Sequence, residues 1–201
     1  MKKLLMIASM ATLAALGVAQ AAGDAEAGKA KAAMCAACHG PDGNSPAPNF
    51  PKIAGQHAEY IAKQLQEFKS GARQDATMAG MTAALSEQDM ADLAAFYASQ
   101  KGNVGQAAED KVELGETLYR AGNAATGVSA CAACHGPAGN GNPMAKFPNL
   151  SGQHADYTAL QLKNFRAGAR ANDAGSMMRG VAKKMTDAEI EAVSQYIQGL
   201  H

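Results

Sequence analysis

The pentapeptide Cys-Ala-Ala-Cys-His occurs twice, as Cys35–His39 and Cys131–His135, each followed at once by glycine. Two cysteines separated by two residues and followed by histidine are what covalent attachment of a c-type haem requires. On a helical turn the two sulfurs lie on one side of the chain, where they can add to the two vinyl groups of a porphyrin. The adjacent imidazole then comes up beneath the iron. A bare Cys-x-x-Cys also suits a thioredoxin-like redox pair, half a zinc site or disulfide cysteines. The histidine at each copy argues against all three, and zinc-ribbon halves stand ~15–20 residues apart, far closer than these. A chain that must enclose two porphyrins needs little core of its own. With no Trp, five Phe and five Tyr in 201 residues, each half would otherwise be thinly cored, and a buried haem supplies the missing apolar mass. All four cysteines belong to the two motifs, leaving none for a structural disulfide.

The chain opens with a basic start at Lys2-Lys3, an apolar run from Leu4 to Val18, and Ala19-Gln20-Ala21 as small residues flanking a cleavage point. These are the parts of a secretory signal over residues 1–21. As an uncleaved anchor the run is short and lacks a stop-transfer flank. Export suits the chemistry, because c-type haem is attached on the outer side of the bacterial inner membrane. Without Lys2 and Lys3 the balance is 16 basic against 18 acidic residues. That near-neutral charge gives no reason to expect nucleic acid as a partner.

Beyond the leader the chain reads as one half followed by its copy. Cys35 maps to Cys131 at an offset of 96; Phe50-Pro51 maps to Phe147-Pro148 at 97. Gly55-Gln56-His57 matches Gly152-Gln153-His154, and Gly71-Ala72-Arg73 matches Gly168-Ala169-Arg170, still at 97. After a three-residue insertion, Leu85-Ser86 matches Met185-Thr186 at 100. This is duplication of a whole unit, with too few and too long copies for a solenoid. The expected division is one domain over 22–100, a polar glycine-containing linker over 101–107 and a second domain over 108–201.

Each unit reads as helical, and no run sustains strand alternation, so the expected fold class is all-α. Asp24 is placed to cap a helix running through Lys29 and Met34 into Cys35–His39. In the second half, Asp110 with Glu113 resembles a capping box. The middle helix carries Ile61, Leu65 and Phe68 at helical spacing, echoed by Thr158, Leu162 and Phe165, with Gly71 and Gly168 as stops. The closing helix opens on Ser86 with Asp89, or Thr186 with Glu189. Its apolar stripe is Met90, Leu93, Phe96 and Tyr97 in one half and Ile190, Val193, Tyr196 and Ile197 in the other.

The sixth ligand of each iron decides what such a chain can do. Candidates are Met78, Met81 and His57 in the first half, and Met144, Met177, Met178 and His154 in the second. For any one methionine, filling a gap in the core is the blander reading. Counting back eight residues from the cap of the closing helix reaches Met78 from Ser86 and Met178 from Thr186. Met177 then faces Thr77, and Met81 faces Val181. Register therefore selects Met78 and Met178, with the adjacent Met177 as competitor. His57 and His154 also match each other; a surface, capping, propionate-bonding or inter-domain role suits them better than ligation. His201 matches nothing. Because an iron-bound imidazole usually donates its other nitrogen to an acceptor, a carbonyl in the loop around Pro46-Ala47-Pro48 is expected to receive His39; the second copy has Asn142-Pro143-Met144-Ala145 there, which leaves room for a different geometry at His135.

Each half resembles a class I cytochrome c, with Cys-x-x-Cys-His near its start, a proline-rich loop, a downstream methionine and a closing helix. The tandem arrangement, with 49–56 (NFPKIAGQ), its echo 146–153 (KFPNLSGQ) and the ending 196–200 (YIQGL), resembles the dihaem cytochrome c4 family over about 22–201. The resemblance implies two covalently bound haem c groups in domains related by a pseudo-twofold axis, with propionates meeting at the interface. It also implies a periplasmic electron carrier, peripherally associated with the membrane, between a quinol–cytochrome c reductase and a terminal oxidase. A six-coordinate iron has no open position, so neither enzymatic chemistry nor a small-molecule substrate is expected. The alternative is the cytochrome subunit of a flavin-containing dehydrogenase, such as a sulfide-oxidising flavocytochrome.

Overall fold

A computed structural model describes residues 22–201; the expected leader over 1–21 lies outside the described residues. Two sets of helices follow one another along the chain. The first is α1 (Ala25–Lys31), α2 (Ala33–His39), α3 (Ala58–Ser70), α4 (Ala76–Thr82) and α5 (Glu87–Ala98). The second is α6 (Glu109–Ala121), α7 (Ala132–His135), α8 (Ala155–Ala167), α9 (Met177–Ala182) and α10 (Asp187–Gly199), with a 3-10 turn at Ala174–Ser176 before α9. Among the described residues the only β pairing is two isolated bridges, Asn123 with Val128 and Asn142 with Phe147. The all-α expectation holds.

Local signals set most helix ends. Asp24 accepts hydrogen bonds from the N–H groups of Glu26 and Ala27. Ser86 with Asp89 and Thr186 with Glu189 form complete capping boxes. The two middle helices end at Gly71 and Gly168, both left-handed. Two expectations fail. The helix begun at Asp24 does not run unbroken into the cysteines: Ala32 donates to Lys29 O, and a second helix starts at Ala33. Asp110 and Glu113 form no capping box, because the cap falls two residues earlier, on Ala108, and Asp110 lies inside the first turn of α6. There its charge still favours the helix N-terminus.

In each half the first helix crosses the closing one, α1 on α5 and α6 on α10. A glycine sits at each crossing. A Cβ on Gly28 would stand 2.0 Å from Asp92 O, and one on Gly115 would stand 2.3 Å from Ala192 O. The stripes expected for the closing helices line two separate cores. Leu93, Phe96 and Tyr97 are buried with Ile61 and Ala32, whereas Ile190, Val193, Tyr196 and Ile197 are buried with Leu118, Tyr119 and Met185. The copies fill the space differently. Tyr97 stands where the second half has Ile197, and Tyr119 stands where the first has Ala32, so one tyrosine per half has changed helices.

Candidate haem sites

The last turn of α2 carries Cys35, Cys38 and His39, and α7 carries Cys134 and His135 with Cys131 at its cap. Gly40 and Gly136 end both turns with φ 78°, so the chain leaves the motif in the same direction twice. No cysteine is in a disulfide. Burial pushes the Cys35 thiol up and the Cys131 thiol up to about 11, the opposite of an activated redox pair. Among the described residues no group of three or more His, Cys, Asp or Glu is arranged to hold a metal ion, as a zinc site would need.

Both histidines are buried and oriented alike. His39 Nδ1 donates to Pro51 O at 2.9 Å and His135 Nδ1 to Pro148 O at 3.0 Å. The acceptors are therefore not in 46–48 or 142–145; they are the matched prolines after each loop, and the two copies share one geometry. Phe50 and Phe147 stand beside the rings, at centroid distances of 6.4 and 6.2 Å. Burial depresses the basicity of both imidazoles, and the proline carbonyl partly offsets it. With the proton held on Nδ1, Nε2 keeps its lone pair and has no partner among the described residues, as a metal-binding imidazole requires. Each donor set of two thiols on one turn and a free Nε2 fits a covalently attached haem.

Met78 lies in the first turn of α4, partly buried, its N–H donated to Asp75 Oδ1 at 2.9 Å. Met178 lies in α9, also partly buried, whereas Met177 is 45% and Met144 90% exposed. The approach to Met178 is distinctive. Gly175 and Ser176 are both left-handed, and Asp173 reaches across them to accept from Arg179 N at 3.0 Å and Arg179 Nε at 2.7 Å. The inserted residues are thus closed into a loop by a buried carboxylate.

His57 and His154 are not beside their own histidine motifs; each crosses to the other half. His57 Nε2 donates to Asn140 O at 2.6 Å and His154 Nε2 to Ser45 O at 2.8 Å. Ser45 Oγ in turn donates to Cys38 O. The glutamines before them do the same. Gln56 exchanges two hydrogen bonds with the backbone of Asn149, and Gln153 two with that of Lys52. The repeated Gly-Gln-His is a reciprocal latch between the halves, a role its sequence suggested only for the histidine.

The family model for cytochrome c matches residues 25–101 and again 112–201. Cytochrome c4 of Azotobacter vinelandii is 53% identical over 98% of both chains. The thiosulfate dehydrogenase electron acceptor of Thiomonas intermedia is 39% identical over 95% of this chain and 89% of its own. The crystal structure of reduced cytochrome c4 from Pseudomonas stutzeri superposes with a TM-score of 0.87 and 54% identity, covering 90% of this chain and all of that one. With one haem motif in each matched region, the chain belongs to the cytochrome c4 family: a dihaem c-type cytochrome of two tandem cytochrome c domains that carries electrons.

Proposed function

We propose that Cys35 and Cys38 anchor one haem and Cys131 and Cys134 the other, with axial pairs His39–Met78 and His135–Met178. The observation that carries this is the matched pair of imidazoles with free Nε2 atoms, joined to the one methionine pair that is partly buried at equivalent positions in both halves. The domains divide at 22–100 and 108–201 around the 101–107 linker.

The haem irons, when bound, supply one-electron chemistry. The chain's residues attach the groups, hold each imidazole by its proline carbonyl and fill the sixth position with sulfur, which raises the reduction potential relative to a second histidine. With both positions filled there is no room for substrate, so the protein is a carrier and not an enzyme. It works in the periplasm, at the membrane surface, taking electrons from quinol–cytochrome c reductase and passing them to a terminal oxidase. No described helix is long and apolar enough to cross a membrane. The kinship with a thiosulfate dehydrogenase electron acceptor supports a second reading, in which a dehydrogenase is the donor.

The test is the ferric optical spectrum with haem counted per chain. Two haems and two full-strength methionine bands are expected. A missing band or a high-spin signal would overturn the axial assignment, and failure of the reduced protein to be oxidised by a terminal oxidase would favour the dehydrogenase subunit.

A further inference from the structure

Each half buries one tyrosine against the first cysteine of its own haem motif, and the two tyrosines come from different helices. Tyr97, in the last turn of α5, is 2% exposed and belongs to the core on which Cys35 packs. Tyr119, in α6, is fully buried and belongs to the core on which Cys131 packs. Their hydroxyls are treated differently. Tyr119 Oη donates to Gly136 O at 2.7 Å. Tyr97 Oη is buried and has no hydrogen-bond partner of good geometry among the described residues.

The Tyr97 ring has little freedom to turn elsewhere. The Phe96 ring lies 4.9 Å from it between centroids, and a Cβ on Gly43 would stand 2.8 Å from Tyr97 Cδ1. Its backbone is tied as well, Tyr97 O accepting from Gly55 N at 2.9 Å. What the phenol does meet is sulfur. Burial raises it above its usual range, and the other group acting on it is Cys35. The effect is mutual: burial pushes the Cys35 thiol up, and the Tyr97 hydroxyl pulls it back down, as an O–H directed at the sulfur does. A buried hydroxyl without an acceptor is costly, and phenylalanine would fill the same space without that cost. Addition of Cys35 to a vinyl group leaves a thioether, which has lone pairs and no proton, so the sulfur can then only accept.

We propose that Tyr97 tunes the first haem, its O–H donating to the thioether sulfur of Cys35 and so raising that haem's reduction potential. A proton shared with the sulfur draws electron density from the porphyrin edge and favours the state that holds the extra electron. The role rests on the attachment at Cys35 proposed above, and it belongs to one copy only. In the other, Ile197 holds the place of Tyr97, and Tyr119 gives its proton to a backbone carbonyl. The test is a redox titration of the protein carrying both haems, beside Tyr97→Phe and Tyr119→Phe, with haem counted per chain. Tyr97→Phe should keep two haems and both methionine bands, and should shift the oxidised-to-reduced ratio of one haem at least threefold toward oxidised, ~28 mV at 59 mV per tenfold. Tyr119→Phe should leave that potential where it is. Should Tyr97→Phe fail to fold, resonance Raman spectra of the parent after full exchange decide the matter: the thioether C–S band of one haem should shift between H2O and D2O. Unmoved potentials in folded Tyr97→Phe overturn the proposal, as does a C–S band insensitive to D2O where that variant does not fold. A parent that does not carry two haems would instead overturn the attachment itself.

Discussion

Two methionines in succession, Met177 and Met178, divide one task between an exposed and a partly buried side chain. Met178→Ala is expected to abolish about half of the long-wavelength methionine absorption, and Met177→Ala to leave it intact. Equal losses from the two variants would remove the register argument. Asp92 makes a second prediction for a single residue. It accepts from Asp24 N, Lys31 and Gln88, and these hydrogen bonds hold its carboxyl down to about 2. A folded-state pKa below the ordinary carboxylate value gives stability that is present above ~3.9 and lost as the pH falls through about 2. The second half has Ala192 in this place. Acid titration followed by circular dichroism should show that Asp92→Asn lowers stability at neutral pH and flattens its fall between pH 4 and 2. At this scale the cysteines, the histidines and the register of the methionines were legible in the sequence. The acceptors Pro51 and Pro148 were not. They lie 12 and 13 residues beyond their histidines, after loops whose path depends on tertiary packing.

The helices show how far local chemistry specifies an element. Capping boxes and terminal glycines are contained within four or five residues; those at Ser86, Thr186, Gly71 and Gly168 appear where the sequence placed them, and the box expected at Asp110 does not form. The break at Ala32 has neither proline nor glycine to announce it, and it buries Ala32 against the core. The crossings of α1 on α5 and α6 on α10 depend on having no side chain at Gly28 and Gly115. A methyl group at either would strike a backbone oxygen, so Gly28→Ala and Gly115→Ala should each cost about 3 kcal/mol by chemical denaturation, through overpacking. An unchanged midpoint would mean that the helices can separate without loss. The loop closed by Asp173 and Arg179 makes a prediction of its own kind. Asp173→Asn should leave both haems attached but make one sixth position at least tenfold easier for added imidazole to occupy, as read from the methionine band. Equal accessibility in the parent and the variant would show that α9 holds Met178 unaided.

Across the whole molecule, duplication was legible in the offsets of 96, 97 and 100, and the two separate cores follow it. What joins the halves was legible only in His57 and His154, for which a bond to the other domain was among the expected roles. Gln56 and Gln153 look like ordinary polar residues at the start of a helix, and only the packed pair reveals that each serves the other copy's backbone. Replacing both by Ala removes six hydrogen bonds, four of them between the halves, worth about 1 kcal/mol each. Calorimetry should then resolve one melting transition into two, one for each half. A single unchanged transition would mean that the latch contributes nothing to cooperativity. The crossing of these contacts also bears on how the chain can change over generations. A gene duplication ordinarily frees one copy to vary while the other keeps its role. Here His154 holds the Cys38 loop through Ser45, and His57 holds Asn140, just beyond His135. A change at His57 or His154 is therefore felt first beside the other copy's haem motif, and at these two positions the copies can diverge only in step.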